Sequence, residues 1–144
     1  MSESLPTLLD ISPTGALYIG DEKTAVDHFL GKNLTEAEAL FREHDLYYLE
    51  DLMWMGPKAF VFYYKAFRRY FRQEKAARNA STLGFFLTAI GFQVEHHLGA
   101  IGGIADELRQ DLQFCLYHHA EFEVDEIALD RINRILESLR KADK

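Results

Sequence analysis

The sequence between residues 50 and 72 contains the chain's single tryptophan, its densest aromatic residues and its strongest basic cluster. Within it, Gly56-Pro57 predicts a helix start, because proline has no backbone N–H to lose at a first helical position. The apolar residues that follow recur at the i, i+3, i+4, i+7 spacing of a helix with one buried face: Ala59, Phe60, Tyr63, Phe67 and Phe71. The stretch predicts a central core helix, with a ligand groove lined by its tyrosines as the alternative.

Other segments of the chain also predict helices, and the sequence shows no internal repeat. Helical spacing of apolar residues recurs over residues 21–30, 35–44, 45–55, 81–98 and 104–119, and again near the C-terminus. The expected helix caps are Asp21, Thr35 together with Glu38, Ser81 and Asp125. Gly31 is placed to end the first of these helices.

The length of 144 residues suits a single domain. Residues 1–20 lack a helical period, and residues 16–19 are interpreted as a short strand or an extended segment. The predicted fold class is therefore all-α. We expect a single compact domain over residues 1–144, with about five or six helices after an irregular N-terminal segment.

Composition predicts a soluble globular protein that resides in the cytoplasm. Hydrophobic residues make up 48% of the chain and charged residues 27%, which are ordinary values for this class. The N-terminus has neither the basic nor the long apolar region of a secretory signal. The most apolar window, residues 83–105, is interrupted by Gln93, Glu95, His96 and His97, so we expect no membrane span.

The net charge of −7 is distributed unevenly along the chain. Residues 1–56 contain 11 acidic and 3 basic residues (−8), residues 57–80 contain 1 and 7 (+6), and residues 81–144 contain 11 and 6 (−5). Acidic ends repel nucleic acid, whose binding requires a concentrated positive surface. We therefore expect no nucleic-acid partner, and acidic surfaces are better suited to a basic protein.

Two acidic clusters are the predicted partner-binding residues, because they are the densest negative groups outside the first turns of helices. The first acidic cluster consists of Asp45, Glu50 and Asp51, and the second of Glu121, Glu123, Asp125 and Glu126. The alternative is the basic group Arg68, Arg69 and Arg72, since arginine is enriched at binding hot spots. We favour the acids, because the arginines can pair internally with acidic side chains. The sequence leaves self-association open.

Two histidine pairs, His96-His97 and His118-His119, are the best case for a metal site. Adjacent helical residues point ~100° apart, so each pair gives at most one ligand to a given site and the two helices must converge. The chain has no Glu-x-x-His and no His-Glu-x-x-His, the spacings of familiar helical metal sites. We predict no metal and no cofactor. The alternative is a small helical enzyme or metal-binding protein that uses both pairs.

Other catalytic signatures are missing from the sequence. Cys115 falls on the apolar face of its predicted helix, where a thiol usually has a raised pKa and is inert. The chain has no Gly-x-Ser-x-Gly motif, and Gly99, Gly102 and Gly103 do not follow a predicted strand as a phosphate-binding loop requires. We therefore predict that the protein is not an enzyme.

One stretch resembles a family of small bacterial proteins that are often encoded beside secreted toxins. The similar residues are Tyr47-Tyr48-x-Glu50-Asp51-Leu52-Met53-Trp54-Met55-Gly56-Pro57-Lys58-Ala59-Phe60, followed by Tyr63-Tyr64. The similarity covers roughly residues 36–72 and is structural, since these residues form a turn and a core helix. The resemblance implies an immunity protein that binds and occludes a cognate effector of a type VI or contact-dependent secretion system. A nuclease fits best, because acidic patches can occupy a site built for phosphates.

Overall fold

A computed structural model of the protein describes residues 4–15 and 20–141. This part of the chain forms eight α-helices and no β-strand. The helices are α1 (Leu8–Ile11), α2 (Asp21–Phe29), α3 (Leu34–Trp54), α4 (Pro57–Gln73), α5 (Ala80–Ile101), α6 (Ala105–Tyr117), α7 (His119–Phe122) and α8 (Glu126–Lys141). Single 3₁₀ turns at Lys75–Ala77 and Gly102–Ile104 lead into α5 and α6. The all-α prediction is confirmed, and the six helices longer than one turn agree with the expected number.

Helix α4 supplies much of the hydrophobic core. It begins with Pro57 at its first position, as predicted. The whole predicted face from Ala59 to Phe71 is buried, and so are Tyr64 and Tyr70 beside it. Helices α1, α3 and α5 pack against α4, and one contiguous cluster of buried side chains joins them. The aromatic stripe is therefore mainly a core surface, although Tyr64 also borders a surface groove beside α4.

Helix α3 combines two segments that the sequence predicted separately. His44 has non-helical backbone angles (φ −159°, ψ 83°) and marks a kink at the predicted boundary. The predicted cap is two residues too late: Asn33 caps the helix and exchanges hydrogen bonds with Glu36 at 2.8 and 2.9 Å. Asparagine at the cap and glutamate three residues on satisfy the same orphan backbone donors as the predicted Thr35 box.

The sequence predicted the N-terminal cap of α8 correctly, but not that of α5. Asn79, not Ser81, caps α5, and its side chain accepts a hydrogen bond from the Thr82 backbone at 2.8 Å. Asp125 accepts one from the Ala128 backbone at 2.8 Å, which confirms the predicted cap of α8. Helix α8 packs against α5 and α6 through Ile132, Ile135 and Leu139, which are buried. The C-terminal helix α8 therefore covers parts of both α5 and α6.

Residues 7–12 contain a helical turn that was not predicted from the sequence. Thr7 and Asp10 form a capping box that opens the single-turn helix α1, which the sequence prediction missed. Ile11 is fully buried, and its carbonyl accepts a hydrogen bond from the Gly56 backbone at 2.9 Å. The strand or extended segment predicted at residues 16–19 lies outside the described residues. Helix α1 is thus attached to the turn between α3 and α4.

Gly56 is held so closely by the N-terminal segment that we expect Gly56→Ala to destabilise the protein. A Cβ atom at this position would collide with the Asp10 carbonyl oxygen and lie 2.6 Å from Pro13 Cγ. Overpacking of this kind costs about 1–3 kcal/mol. Gly84→Ala is the matched control, since a Cβ there meets nothing within 4 Å, and alanine within a helix should add about 0.5–1 kcal/mol. Urea unfolding of both variants should give opposite shifts, and equal shifts would contradict the close contact.

Candidate functional site

The first acidic cluster does not form one surface. Asp45 Oδ2 accepts hydrogen bonds from Tyr70 Oη at 2.8 Å and from Thr82 Oγ1 at 3.0 Å, between α4 and α5. Asp51 is buried on another side of α3 and pairs with His28. Only Glu50 is exposed to solvent. The helix rotates by about 100° per residue, so positions 45, 50 and 51 point in three directions.

Asp51 takes part in a hydrogen-bonded chain that leads from the interior to the surface. Its Oδ2 atom lies 2.6 Å from His28 Nδ1, and His28 Nε2 lies 3.4 Å from the hydroxyl oxygen of Tyr47. Burial raises the pKa of Asp51 to about 6, against the opposing effect of its hydrogen bond to His28. Nearby Glu50 and Asp21 raise this pKa further. The His28 ring also contacts Tyr47 and Tyr48, so the carboxyl group serves to fix α2 against α3.

The raised pKa of Asp51 predicts a pH effect on stability. The folded protein holds this proton more tightly than the unfolded chain, so the group stabilises the fold at low pH and loses that contribution as pH rises through about 6. Asp51→Asn removes the titration. Between about pH 4 and pH 7 we expect the free energy of unfolding of wild type to fall relative to this variant by roughly 2–3 kcal/mol. Glu43→Gln, at an exposed position of the same helix, should follow wild type, and parallel curves for Asp51→Asn would contradict the assignment.

All four side chains of the second acidic cluster are exposed to solvent. Glu121, Glu123, Asp125 and Glu126 are all exposed and lie in α7, at the start of α8 or between these two helices. Glu123 ends α7 with left-handed backbone angles (φ 52°). Glu121 Oε1 lies 2.9 Å from His118 Nδ1 and 3.4 Å from Arg78 Nη1. These two neighbours hold the pKa of Glu121 below its ordinary value.

Exposed apolar side chains flank the second acidic cluster in the sequence. Tyr117, the last residue of α6, is 82% exposed, and Ile127, in the first turn of α8, is 73% exposed. Such large apolar side chains in solvent contribute nothing to the core. Combined with charged groups, they are the composition of a protein-binding surface, in which apolar anchors lie among polar residues. We call residues 117–127 the α6–α8 surface.

Two of the three arginines of the alternative prediction, Arg68 and Arg72, pair with a buried carboxylate. Asp111 of α6 is fully buried. Arg68 Nε lies 2.9 Å from both of its carboxylate oxygens, and Arg72 Nη1 lies 2.9 Å from Oδ1. Tyr64 donates a hydrogen bond to Oδ2 at 2.6 Å. Arg69, by contrast, is exposed and makes no hydrogen bond or ion pair within residues 4–15 and 20–141.

Asp111 and Tyr64 are the important site residues that the sequence interpretation missed. Burial raises the pKa of Asp111, while Tyr64, Arg68 and Arg72 oppose that effect. Burial, together with the neighbouring Asp111, also raises the pKa of the Tyr64 hydroxyl. The sequence does contain a signal. Asp111 occupies a core position of the amphipathic helix α6, at helical spacing from the buried Leu108 and Cys115.

The two histidine pairs lie too far apart to form one site. His118 Nδ1 lies 3.5 Å from Nη1 of Arg78, just before α5 begins, whereas His97 near the other end of α5 lies 2.9 Å from Gln93 Oε1. The 17 residues that follow Ala80, where α5 begins, up to His97 correspond to roughly 26 Å of helix. Both pairs therefore cannot bind one metal ion. Among the described residues, no group of three or more His, Cys, Asp or Glu side chains has the arrangement to hold one.

Two further sequence inferences concern Cys115 and the apolar window. The Cys115 thiol is buried, and burial raises its pKa, as its helical position predicted. The thiolate needed for nucleophilic attack is therefore disfavoured. Within residues 4–15 and 20–141, no helix has the length and apolar character to cross a membrane.

Comparison of the chain with protein-family models, with curated proteins and with solved structures finds no match. The resemblance of residues 36–72 to immunity proteins therefore stays a prediction. A function for this chain has to follow from its own surface, charges and contacts. Two features of the described residues combine exposure with a predicted partner-binding group: the α6–α8 surface and the basic group Arg68, Arg69 and Arg72.

Proposed function

We propose that the protein is a binding protein without catalytic activity, which neutralises a cognate secreted toxin by occluding it in the cytoplasm. The observation that carries the proposal is the α6–α8 surface, where four outward carboxylates lie between two exposed apolar side chains. The buried Cys115 thiol and the separation of the two histidine pairs support binding over catalysis by these groups.

Charge complementarity indicates the kind of partner. Acidic side chains attract a basic surface over a distance and accelerate association, and the apolar residues then exclude water and slow dissociation. The proposed partner therefore carries a basic patch with an apolar pocket at its centre. A nuclease effector of a type VI or similar secretion system fits this description, because a site that holds phosphates is positively charged.

Two carboxylates of the α6–α8 surface are held in place by neighbouring groups before a partner binds. Asp125 is fixed by its bond to the Ala128 backbone, and Glu121 is held by His118 and Arg78. Side chains that are already ordered lose less conformational entropy when a partner arrives. Glu123 and Glu126 make no internal hydrogen bond or ion pair to the rest of the described chain, so they are the carboxylates that remain for a partner.

The test uses two double charge reversals of equal size. Glu123→Lys/Glu126→Lys changes the α6–α8 surface, and Glu43→Lys/Glu50→Lys changes exposed positions of α3. Binding and growth protection are measured with the toxin encoded beside the protein. We expect the first variant to associate at least about tenfold more slowly and to lose protection, with helicity unchanged. Raising salt should slow association of wild type, because steering charges are screened.

Three results would overturn the proposal. If no product of a neighbouring gene binds or is neutralised, the protein is not an immunity protein. If the Glu43/Glu50 variant loses binding and the Glu123/Glu126 variant keeps it, α3 carries the interface. If Tyr117→Ala leaves the dissociation rate unchanged, the exposed tyrosine is not an anchor.

A further inference from the structure

A groove with a volume of about 430 Å³ lies between α4 and the start of α6. Its α4 side is lined by Tyr64, Lys65, Arg68, Arg69, Arg72 and Gln73, and its opposite side by Ile104 and Glu107. This volume is within the range of pockets that hold small molecules, roughly 300–1,000 Å³. The groove is separate from the α6–α8 surface, and its role does not depend on the proposed function.

The groove concentrates positive charge on a protein of net charge −7. Four cationic side chains line it, and the acidic side chains beside them are Glu107 on its wall and Asp111, which pairs with Arg68 and Arg72. Helical spacing produces this concentration, because positions 65, 68, 69 and 72 recur on one side of α4. This groove can therefore attract an anion, although the protein as a whole carries a negative charge.

Asp111 fixes two of the arginines without using all of their donors. Arg68 binds Asp111 through Nε and Gln110 Oε1 through Nη2 at 2.6 Å. Arg72 binds Asp111 through Nη1 and lies 4.7 Å over the Phe114 ring. Within the described residues, Arg68 Nη1 and Arg72 Nη2 make no hydrogen bond. These donors are therefore held in place before any ligand binds, which lowers the entropic cost of binding.

We propose that this groove binds the phosphate group of a small phosphorylated molecule. Planar guanidinium groups match the oxygens of a phosphate and bind them through paired, charge-assisted hydrogen bonds. Arg69 supplies a complete, unpaired guanidinium beside the remaining donors of Arg68 and Arg72. The groove is larger than a phosphate needs, so the rest of the ligand lies against Ile104 and the wall near Gln73.

Glu107 opposes anion binding. Its replacement should therefore change the affinity in the direction opposite to Arg69→Ala. It lines the groove, and its Oε2 atom is buried without a hydrogen-bond partner among the described residues. Its negative charge repels a phosphate at short range. Replacing the carboxylate by an amide of the same shape should therefore strengthen binding. If ions were attracted only weakly and by the whole protein surface, this single substitution would leave binding unchanged.

The experiment measures binding of inorganic pyrophosphate and of ribose 5-phosphate by titration calorimetry at constant ionic strength. Wild type should give saturable binding of at least one of them. Arg69→Ala should weaken it by about fivefold or more, and Glu107→Gln should tighten it by about twofold or more. Arg134→Ala is the matched control, because this arginine is 79% exposed on α8, away from the groove, and it should leave binding unchanged.

Arg69 is exposed and makes no hydrogen bond or ion pair with the described residues, so Arg69→Ala should fold normally and the test does not depend on a destabilised variant. Absence of saturable binding to wild type would overturn the proposal. Equal weakening by Arg69→Ala and Arg134→Ala would overturn it too, since the effect would then come from net charge and not from the groove.

Discussion

Replacing Phe67 by alanine is expected to lower the free energy of unfolding by about 3–5 kcal/mol. Phe67 is fully buried. Its ring centroid lies 5.3 Å from that of Phe41, 5.0 Å from Phe71 and 5.6 Å from Phe86. These rings come from α3, α4 and α5, so removal of Phe67 opens a cavity where three helices meet. The surrounding rings are themselves fixed and cannot close it without leaving their own contacts.

Urea unfolding followed by circular dichroism measures this loss as a lower midpoint. Tyr117→Ala is the control, because it removes a similar ring from an exposed position and should change stability by no more than about 0.5 kcal/mol. An unchanged midpoint for Phe67→Ala would show that α4 buries a different face. A comparable loss from Tyr117→Ala would show that Tyr117 packs against the molecule in solution.

Replacing Asp111 by alanine is expected to cost about 3–5 kcal/mol, as removal of one member of a buried ion pair usually does. The substitution leaves the Tyr64 hydroxyl without its acceptor and deprives Arg68 and Arg72 of their shared partner. Asp111 also joins α4 to α6, two helices that are far apart in the sequence. The loss should therefore include weaker attachment of α6.

Asp106→Ala is the matched control on the same helix, since Asp106 is 78% exposed and pairs only with Arg109 of its own helix among the described residues. Its removal should cost less than about 1 kcal/mol. Tyr64→Phe provides an intermediate case and should cost about 1–3 kcal/mol, because it removes one hydrogen bond to a charged group. If Asp111→Ala and Asp106→Ala were equally mild, the buried network would contribute nothing to stability.

The fold class could be predicted from the sequence because the helical spacing of apolar residues indicates which face of each helix is buried. Positions 59, 60, 63, 67 and 71 of α4 are buried as that spacing requires. Helix ends were less accessible. Asn33 and Thr35 both satisfy the pattern of a capping box, and only the path of the chain decides which one caps α3. The single turn α1 is too short to show any period.

The candidate site could be predicted from the sequence only in part, because residues that are close in sequence need not be close in space. Asp45, Glu50 and Asp51 look like one acidic group, but the helical rotation sends Asp45 to α4 and Asp51 to α2. All four residues of the second acidic cluster are exposed, and they fall at or between the adjoining ends of α7 and α8, with Glu123 and Asp125 in the connection itself. Internal pairing of Arg68 and Arg72 depends on Asp111, which only the packing of α6 against α4 brings to them.

Asp10 and Pro13 lie so close to Gly56 that they limit which amino acids can occupy position 56, although they come much earlier in the chain. The backbone angle of Gly56, φ −60°, would suit any amino acid, so only the neighbouring segment excludes a side chain. Among sequences of common descent with this chain, we expect glycine at position 56 wherever the turn at residues 10–13 is retained. Alanine or serine should appear there together with loss or shortening of that turn. Such linked substitution would mean that selection maintains the N-terminal segment as part of the fold.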